Sequence, residues 1–206
     1  MDFKEVLIFY IPLVVSLAVH EWAHAWSAHK LGDDTAAEQG RLTLNPIVHL
    51  DLVGTVLLPL SLLMSGSGPF LGWAKPVPVN PHRFRRGVSI FAGMLLTSIA
   101  GPLSNLVLAF LCSLGIVLAK RYTGASEMVI KGLGFALSLN VLLMIFNLLP
   151  VPPLDGHRLL PPRVQEALQP YSMLLFIGLL ALIWTSGDFF RVPVQAVVAA
   201  IQFLTG

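Results

Sequence analysis

Hydrophobic positions gather into long runs broken by short polar or proline-rich stretches. A helix crossing about 30 Å of hydrocarbon needs about 20 apolar residues. Residues 3–28, 90–119 and 129–149 meet that length, and 171–184 forms a shorter run. The last run, "FFRVPVQAVVAAIQFLTG", carries Arg191, Pro193 and two glutamines, so it reads either as a final span or as a helix lying on the membrane surface. The segment "LVGTVLLPLSLLMSGSGPFLG", residues 52–72, is apolar but short and is interrupted by Pro59. After it, "GWAKPVPVNP" alternates Val with Pro and excludes a helix interior, because each Pro removes an N–H and disfavours helical geometry before it. It reads as an extended edge strand or hairpin at the membrane surface. The pattern predicts an all-α polytopic membrane protein with about five to six membrane helices. That count includes a re-entrant segment near 52–70, and a short β strand or hairpin near 72–80 lies at the membrane surface. Residues 1–206 read as one membrane-embedded domain, with a core over about 5–165 and C-terminal helices over about 171–204.

Composition agrees: 55% of the 206 residues are hydrophobic and 12% charged, where soluble domains carry about 25% charged residues, and the mean hydropathy is +0.78. The N-terminal run leads into His and Glu and not into a cleavage site between small residues, so it reads as a retained first helix. A net charge of +2, with basic residues in short clusters between apolar runs, suits loops facing anionic lipid and gives no sign of nucleic-acid binding. The single cysteine, Cys112, excludes an internal disulfide and a cysteine metal site.

Charge also bears on topology. If 52–70 turns back, Lys30, Arg41, Lys75, Arg83, Arg85, Arg86, Arg158 and Arg163 share one face. Lys4, Lys120, Arg121, Lys131 and Arg191 then share the other. The richer face is the cytoplasmic one. If the segment spans, the bias nearly vanishes, so charge favours re-entry.

The chemistry begins in "LAVHEWAHAW", where His20, Glu21 and His24 end the first run. On a helix, positions i and i+4 lie one above the other on one face, so both imidazoles can reach one ion. Glu21 sits where it can approach a water on that ion, the H-E-x-x-H arrangement of zinc hydrolases. The bare pattern also arises by chance in soluble proteins. Three ionisable residues within a membrane helix are costly unless paired or coordinated.

A catalytic zinc needs a third protein ligand and an open position. A metzincin continuation is excluded, because Ser27 and Lys30 stand where that motif has Gly and His. Glu38 sits in a polar loop, and His29 is turned about 140° from His24. The best candidate is Asp155 in "FNLLPVPPLDGHRLL": Pro150, Pro152 and Pro153 end an apolar helix, and Gly156 permits close approach. Under the re-entrant topology the helices leading to His20 and to Asp155 end at similar depth.

The ordered segments "HEWAH", "GRLTLNPIVHLD", "GWAKPVPVNP", "AGPLSN" and "NLLPVPPLDG" resemble the site-2 protease family of intramembrane zinc metalloproteases, especially its compact bacterial branch without PDZ or CBS domains. The resemblance covers about residues 5–165. It implies one zinc held by His20, His24 and Asp155, Glu21 as general base, and hydrolysis of peptide bonds in membrane-protein substrates. It also implies that Asn147 and Asn105 position substrate or stabilise an oxyanion; each also reads as an amide bonding between helices. The expected partners are a transmembrane protein substrate and the lipid bilayer, with the site toward the cytoplasmic side. His157 stands where the family often has Gly, and reads as a polar edge residue or an auxiliary contact to the ion. His49 and Asp51 read as a local capping pair or as a pair behind the ligands, and His82 as part of the basic surface. The Val/Pro segment around 76–79 offers an edge onto which an unwound substrate adds as a strand. Rival readings are a membrane metal transporter or sensor using the same ligands, and an inactive scaffold.

Overall fold

The computed structural model describes residues 3–65, 72–186 and 189–205, and all regular structure among them is helical. The chain forms α1 (Phe3–Lys30), α2 (Thr35–Glu38), α3 (Leu58–Met64), α4 (Ile90–Leu118), α5 (Glu127–Asn147), α6 (Pro162–Leu168), α7 (Ser172–Ser186) and α8 (Arg191–Thr205). A π-helical stretch, Leu52–Leu57, runs directly into α3.

Helices α1, α4 and α5 make the core. Ser16 meets Asn140 and Phe9 meets Phe135, so α5 runs parallel to α1. His20 meets Asn105 while His24 meets Thr97, so α4 runs antiparallel to both. This core buries polar side chains beside its leucines and valines. Ser16, His20, His24, Thr97, Ser98, Asn105 and Asn140 are buried among the helices. Ile11, Val15, Leu96, Leu103, Val107 and Leu111 face outward. Lipid accepts that outer face, and small buried residues such as Ala18, Ala25, Ala28 and Ala109 let the backbones approach closely.

Among the described residues, four helical stretches are long and apolar enough to cross a membrane: Lys4–Lys30, Ile90–Tyr122, Glu127–Asn147 and Pro162–Ile183. The expected count of five to six thus resolves into four full-length candidates plus two shorter apolar helices, Leu52–Met64 and Arg191–Thr205. At 1.5 Å per residue these two cover about 20 Å and about 22 Å, less than the roughly 30 Å of hydrocarbon. Helix α8 packs Ile201 against Ala109, Leu137 and Val141, so it is part of the bundle.

The described ends of the segment starting at Leu52 lie beside each other. Asp51 caps its start by accepting from the amides of Val53 and Gly54. By Trp73 the chain is back beside it: the Trp73 amide donates to Gly54 O at 3.1 Å, Thr55 Oγ1 donates to Trp73 O at 2.7 Å, and the Lys75 amide donates to His49 O at 2.9 Å. Gly54 is required here, because a Cβ would stand 2.3 Å from the Trp73 ring. Residues 66–71 of that segment lie outside the described residues.

Residues 72–80 form an extended strap and not the expected strand or hairpin. Proline at 76 and 78 removes every second amide, so no continuous ladder can form. Several of the remaining polar groups are held singly by different elements. Arg41 donates to Lys75 O at 2.7 Å, and the Asn80 amide donates to the fully buried Asp33 at 2.6 Å. Ala74 seats the strap among Leu13, Leu17 and Leu139 of the core.

Candidate metal centre

Because α1 and α5 run in the same direction, the turn after α5 arrives beside the last third of α1. Gly156 makes the return possible: a Cβ there would stand 2.2 Å from Leu148 O, so only glycine lets the turn fold back on the end of α5. Asp155 is thereby brought to His20 and His24, with its Oδ2 3.3 Å from the Nε2 of each. The two Nε2 atoms are 3.0 Å apart, and the three side chains form the one group among the described residues whose donor atoms, all within 4.8 Å, suit a metal ion.

The protonation of the imidazoles follows from their other nitrogens. His24 Nδ1 lies 2.7 Å from Thr97 O, a backbone carbonyl that can only accept, so Nδ1 carries the proton. His20 Nδ1 lies 2.7 Å from Asn105 Oδ1 and donates to it. In the neutral imidazoles both Nε2 atoms therefore present lone pairs toward a carboxylate oxygen. Asp155 Oδ2 is buried and has no hydrogen-bond partner. Three electron-pair donors this close require a positive charge among them, supplied by a proton or a metal ion. Burial works to raise the Asp155 carboxyl; when the positive charge is a proton on the imidazoles, His20 and His24 donate to it and hold it well below the usual carboxylate range.

Other sequence candidates lie elsewhere. Glu38 is exposed and tied to Arg83 at 2.5 and 2.6 Å, which lowers its carboxyl, and His29 pairs with Asp34. His49 bonds to Thr43 O while Asp51 caps the following helix, so the two are not partners. His82 has no part in the group.

A cavity of about 430 Å³ opens over the group, lined by His20, Glu21, His24, Val77, Asn147 and Asp155, with His157 on its wall. Glu21 projects into it and accepts the Val77 amide at 2.8 Å. The strap edge expected to stand free for substrate is thus already occupied at Val77. Asn147 donates to Leu143 O at 3.0 Å and keeps its oxygen and a second N–H for the cavity. Asn105 does not line the cavity; it is fully buried behind His20. His157 donates from Nδ1 to Leu154 O and is not one of the three clustered donors.

Over an alignment 182 positions long, covering 82% of the chain and 78% of its partner, the chain is 45% identical to a Bacillus subtilis protein named "Putative zinc metalloprotease YwhC". The chain belongs to the site-2 protease family of zinc metalloproteases. Two further members, both named "Putative zinc metalloprotease Rip2", are 32% identical: one from Mycolicibacterium smegmatis over 84% of the chain and 64% of its own length, one from Mycobacterium tuberculosis over 82% and 63%. No protein-family model and no solved structure matches the chain. The family's metal is zinc, and the donor set suits it: two imidazole nitrogens and a carboxylate, facing a cavity that leaves further positions open.

Sequence reasoning passed over Gly101, Thr97, Asn140 and Ser16. Gly101 had a visible signal, a glycine ahead of Pro102 inside an apolar helix. A Cβ on it would stand 2.4 Å from His24 Nε2 and 2.6 Å from His20 Cε1, so the glycine makes room for both imidazoles. Gly101→Ala is therefore expected to displace them, costing about 1–3 kcal/mol of stability and weakening zinc retention. Metal analysis of the purified variant after a chelator challenge checks this, and wild-type retention would contradict it.

Proposed function

We propose that the protein is an intramembrane zinc endopeptidase that hydrolyses peptide bonds in or near the transmembrane segments of other membrane proteins. The observation that carries this reading is the position of His20, Glu21 and His24 inside a 27-residue candidate span whose outer face is apolar. His20, His24 and Asp155 hold the zinc. When bound, zinc lowers the pKa of a water toward about 7 and polarises the scissile carbonyl.

Glu21, beside the ligands and outside their group, takes the proton of the attacking water and returns it to the leaving amine. Its contact with Val77 holds the carboxylate at the rim of the cavity. A substrate strand adding to the strap exchanges with Glu21 for that amide, freeing the carboxylate as the peptide arrives. Asn147, with an N–H still available, holds the substrate carbonyl as charge develops on its oxygen.

The site faces the cytoplasm in this reading. Its end of the bundle carries Lys30, Arg41, Lys75, Arg83, Arg85 and Arg86, with Arg41 on Lys75 and Arg83 on Glu38 joining that end into one basic rim. Lys131 beside Glu5 lies at the opposite end.

A metal transporter or sensor has no need of a base beside the ligands, so Glu21 separates the classes. Glu21→Gln should keep its zinc while cleavage of single-span substrates in the same membranes falls by about 10²–10⁴-fold. Undiminished cleavage would overturn the assignment, and an absence of cleavage by the wild type with zinc bound would favour the transporter. For orientation, a single cysteine replacing Arg86 in a Cys112→Ala background should react with an impermeant thiol reagent only from the inner face. One replacing Lys120 should react from outside, and the reverse pattern would contradict the topology.

A further inference from the structure

We propose that Asn140, on the third core helix, sets the tautomer of His20 through Asn105, so that these two amides are positioning residues for the metal centre. The proposal rests on the reading of His20 as a zinc ligand. Asn105 and Asn140 are 0% and 1% exposed, so no water competes for their amides, and the protein alone decides which way each points.

The order of donors and acceptors can be read from its far end. Asn140 Nδ2 lies 2.8 Å from Ala136 O, a backbone carbonyl that cannot donate, and 2.9 Å from Ser16 Oγ. That places the nitrogen of Asn140 toward Ala136 and Ser16, and its oxygen toward Asn105. Asn105 Nδ2 donates to this oxygen at 2.9 Å, which turns Asn105 Oδ1 toward His20. There it accepts from Nδ1 at 2.7 Å, leaving Nε2 of His20 as the lone pair that faces Asp155 and His24. A fixed carbonyl on α5 is thus connected, through two amides of enforced polarity, to the choice of nitrogen that meets the metal. The relay also ties α1, α4 and α5 together at one level.

An amide serving only as packing or interhelical glue has no preferred direction of polarity; a relay does. In Asn140→Leu the Asn105 amide loses the acceptor that orders it and can present Nδ2 to His20, which favours the proton on Nε2. Zinc affinity should then fall by about 10–100-fold, the usual cost of losing a residue that orients a ligand. Asn105→Asp has acceptors at both ends and cannot turn the wrong way, but it sets a carboxylate against Asn140 Oδ1. In that background Asn140→Leu removes the conflict. The sign of the Asn140→Leu effect should therefore reverse: harmful with Asn105, beneficial with Asp at 105.

The measurement is zinc affinity by chelator competition on the four proteins in detergent, alongside their unfolding temperatures. A reversal of sign supports the relay. Equal losses in both backgrounds, or no loss in Asn140→Leu, overturn it. If the Leu variants do not fold, nitrogen-15 NMR of histidine-labelled, zinc-free wild type at a pH where the imidazoles are neutral decides: the proton of His20 belongs on Nδ1, and a proton on Nε2 refutes the relay. Failure of the wild type to bind zinc would instead refute the reading of the centre itself, which keeps the two failures apart.

Discussion

The Nε2 atoms of His20 and His24 and one oxygen of Asp155 face one another inside a helical bundle without a proton donor among them. Such an arrangement is unfavourable unless a cation occupies it, and much of the surrounding fold maintains it. Thr97 O and Asn105 hold the outer nitrogens of the rings. Gly101 leaves the space that the rings fill, and Gly156 lets the aspartate turn press against the end of α5. Parallel α1 and α5 bring the two sets of ligands to one height.

The bundle around this centre holds polar groups inside together with part of its apolar residues, while many other apolar residues are directed outward. A soluble protein buries leucine and exposes asparagine; here Asn105 and Asn140 are interior while leucines and valines of α1 and α4 are at the surface. With no bulk water inside, each buried amide must find a protein partner, and that need is what turns polar residues into a connected network between helices. The strap over residues 72–80 follows the same logic. Two of its residues lack an amide, and those of Trp73, Lys75, Val77 and Asn80 are satisfied one at a time by Gly54, His49, Glu21 and Asp33.

Local features were legible in the sequence. The i, i+4 spacing of His20 and His24 fixes their common face whatever the rest of the chain does, and the prolines before Asp155 announce the break that frees a carboxylate. Bonds joining Gly54 and Thr55 to Trp73 bring the described ends of the segment after Asp51 together, a contact that the charge pattern does not specify. The Val/Pro alternation correctly excluded helix, but it also suggested a hairpin, since extended geometry is written locally while pairing partners are not. Ser16 and Asn140 were illegible for a related reason: a serine and an asparagine in apolar helices acquire their meaning only from the neighbours 124 and 35 residues away that they meet. Asn105 was noticed as a polar residue in an apolar helix, yet whether it faced substrate or the back of a ligand depended on the rotation of α4 against α1.

The central claim, that His20, His24 and Asp155 together hold the zinc, is tested most directly by X-ray absorption at the zinc edge of the purified protein. The account predicts two imidazole nitrogens and oxygen ligands at about 2.0–2.2 Å, with no sulfur, and loss of one imidazole from the shell in His24→Ala. A shell without imidazole, or one unchanged by His24→Ala, would contradict it.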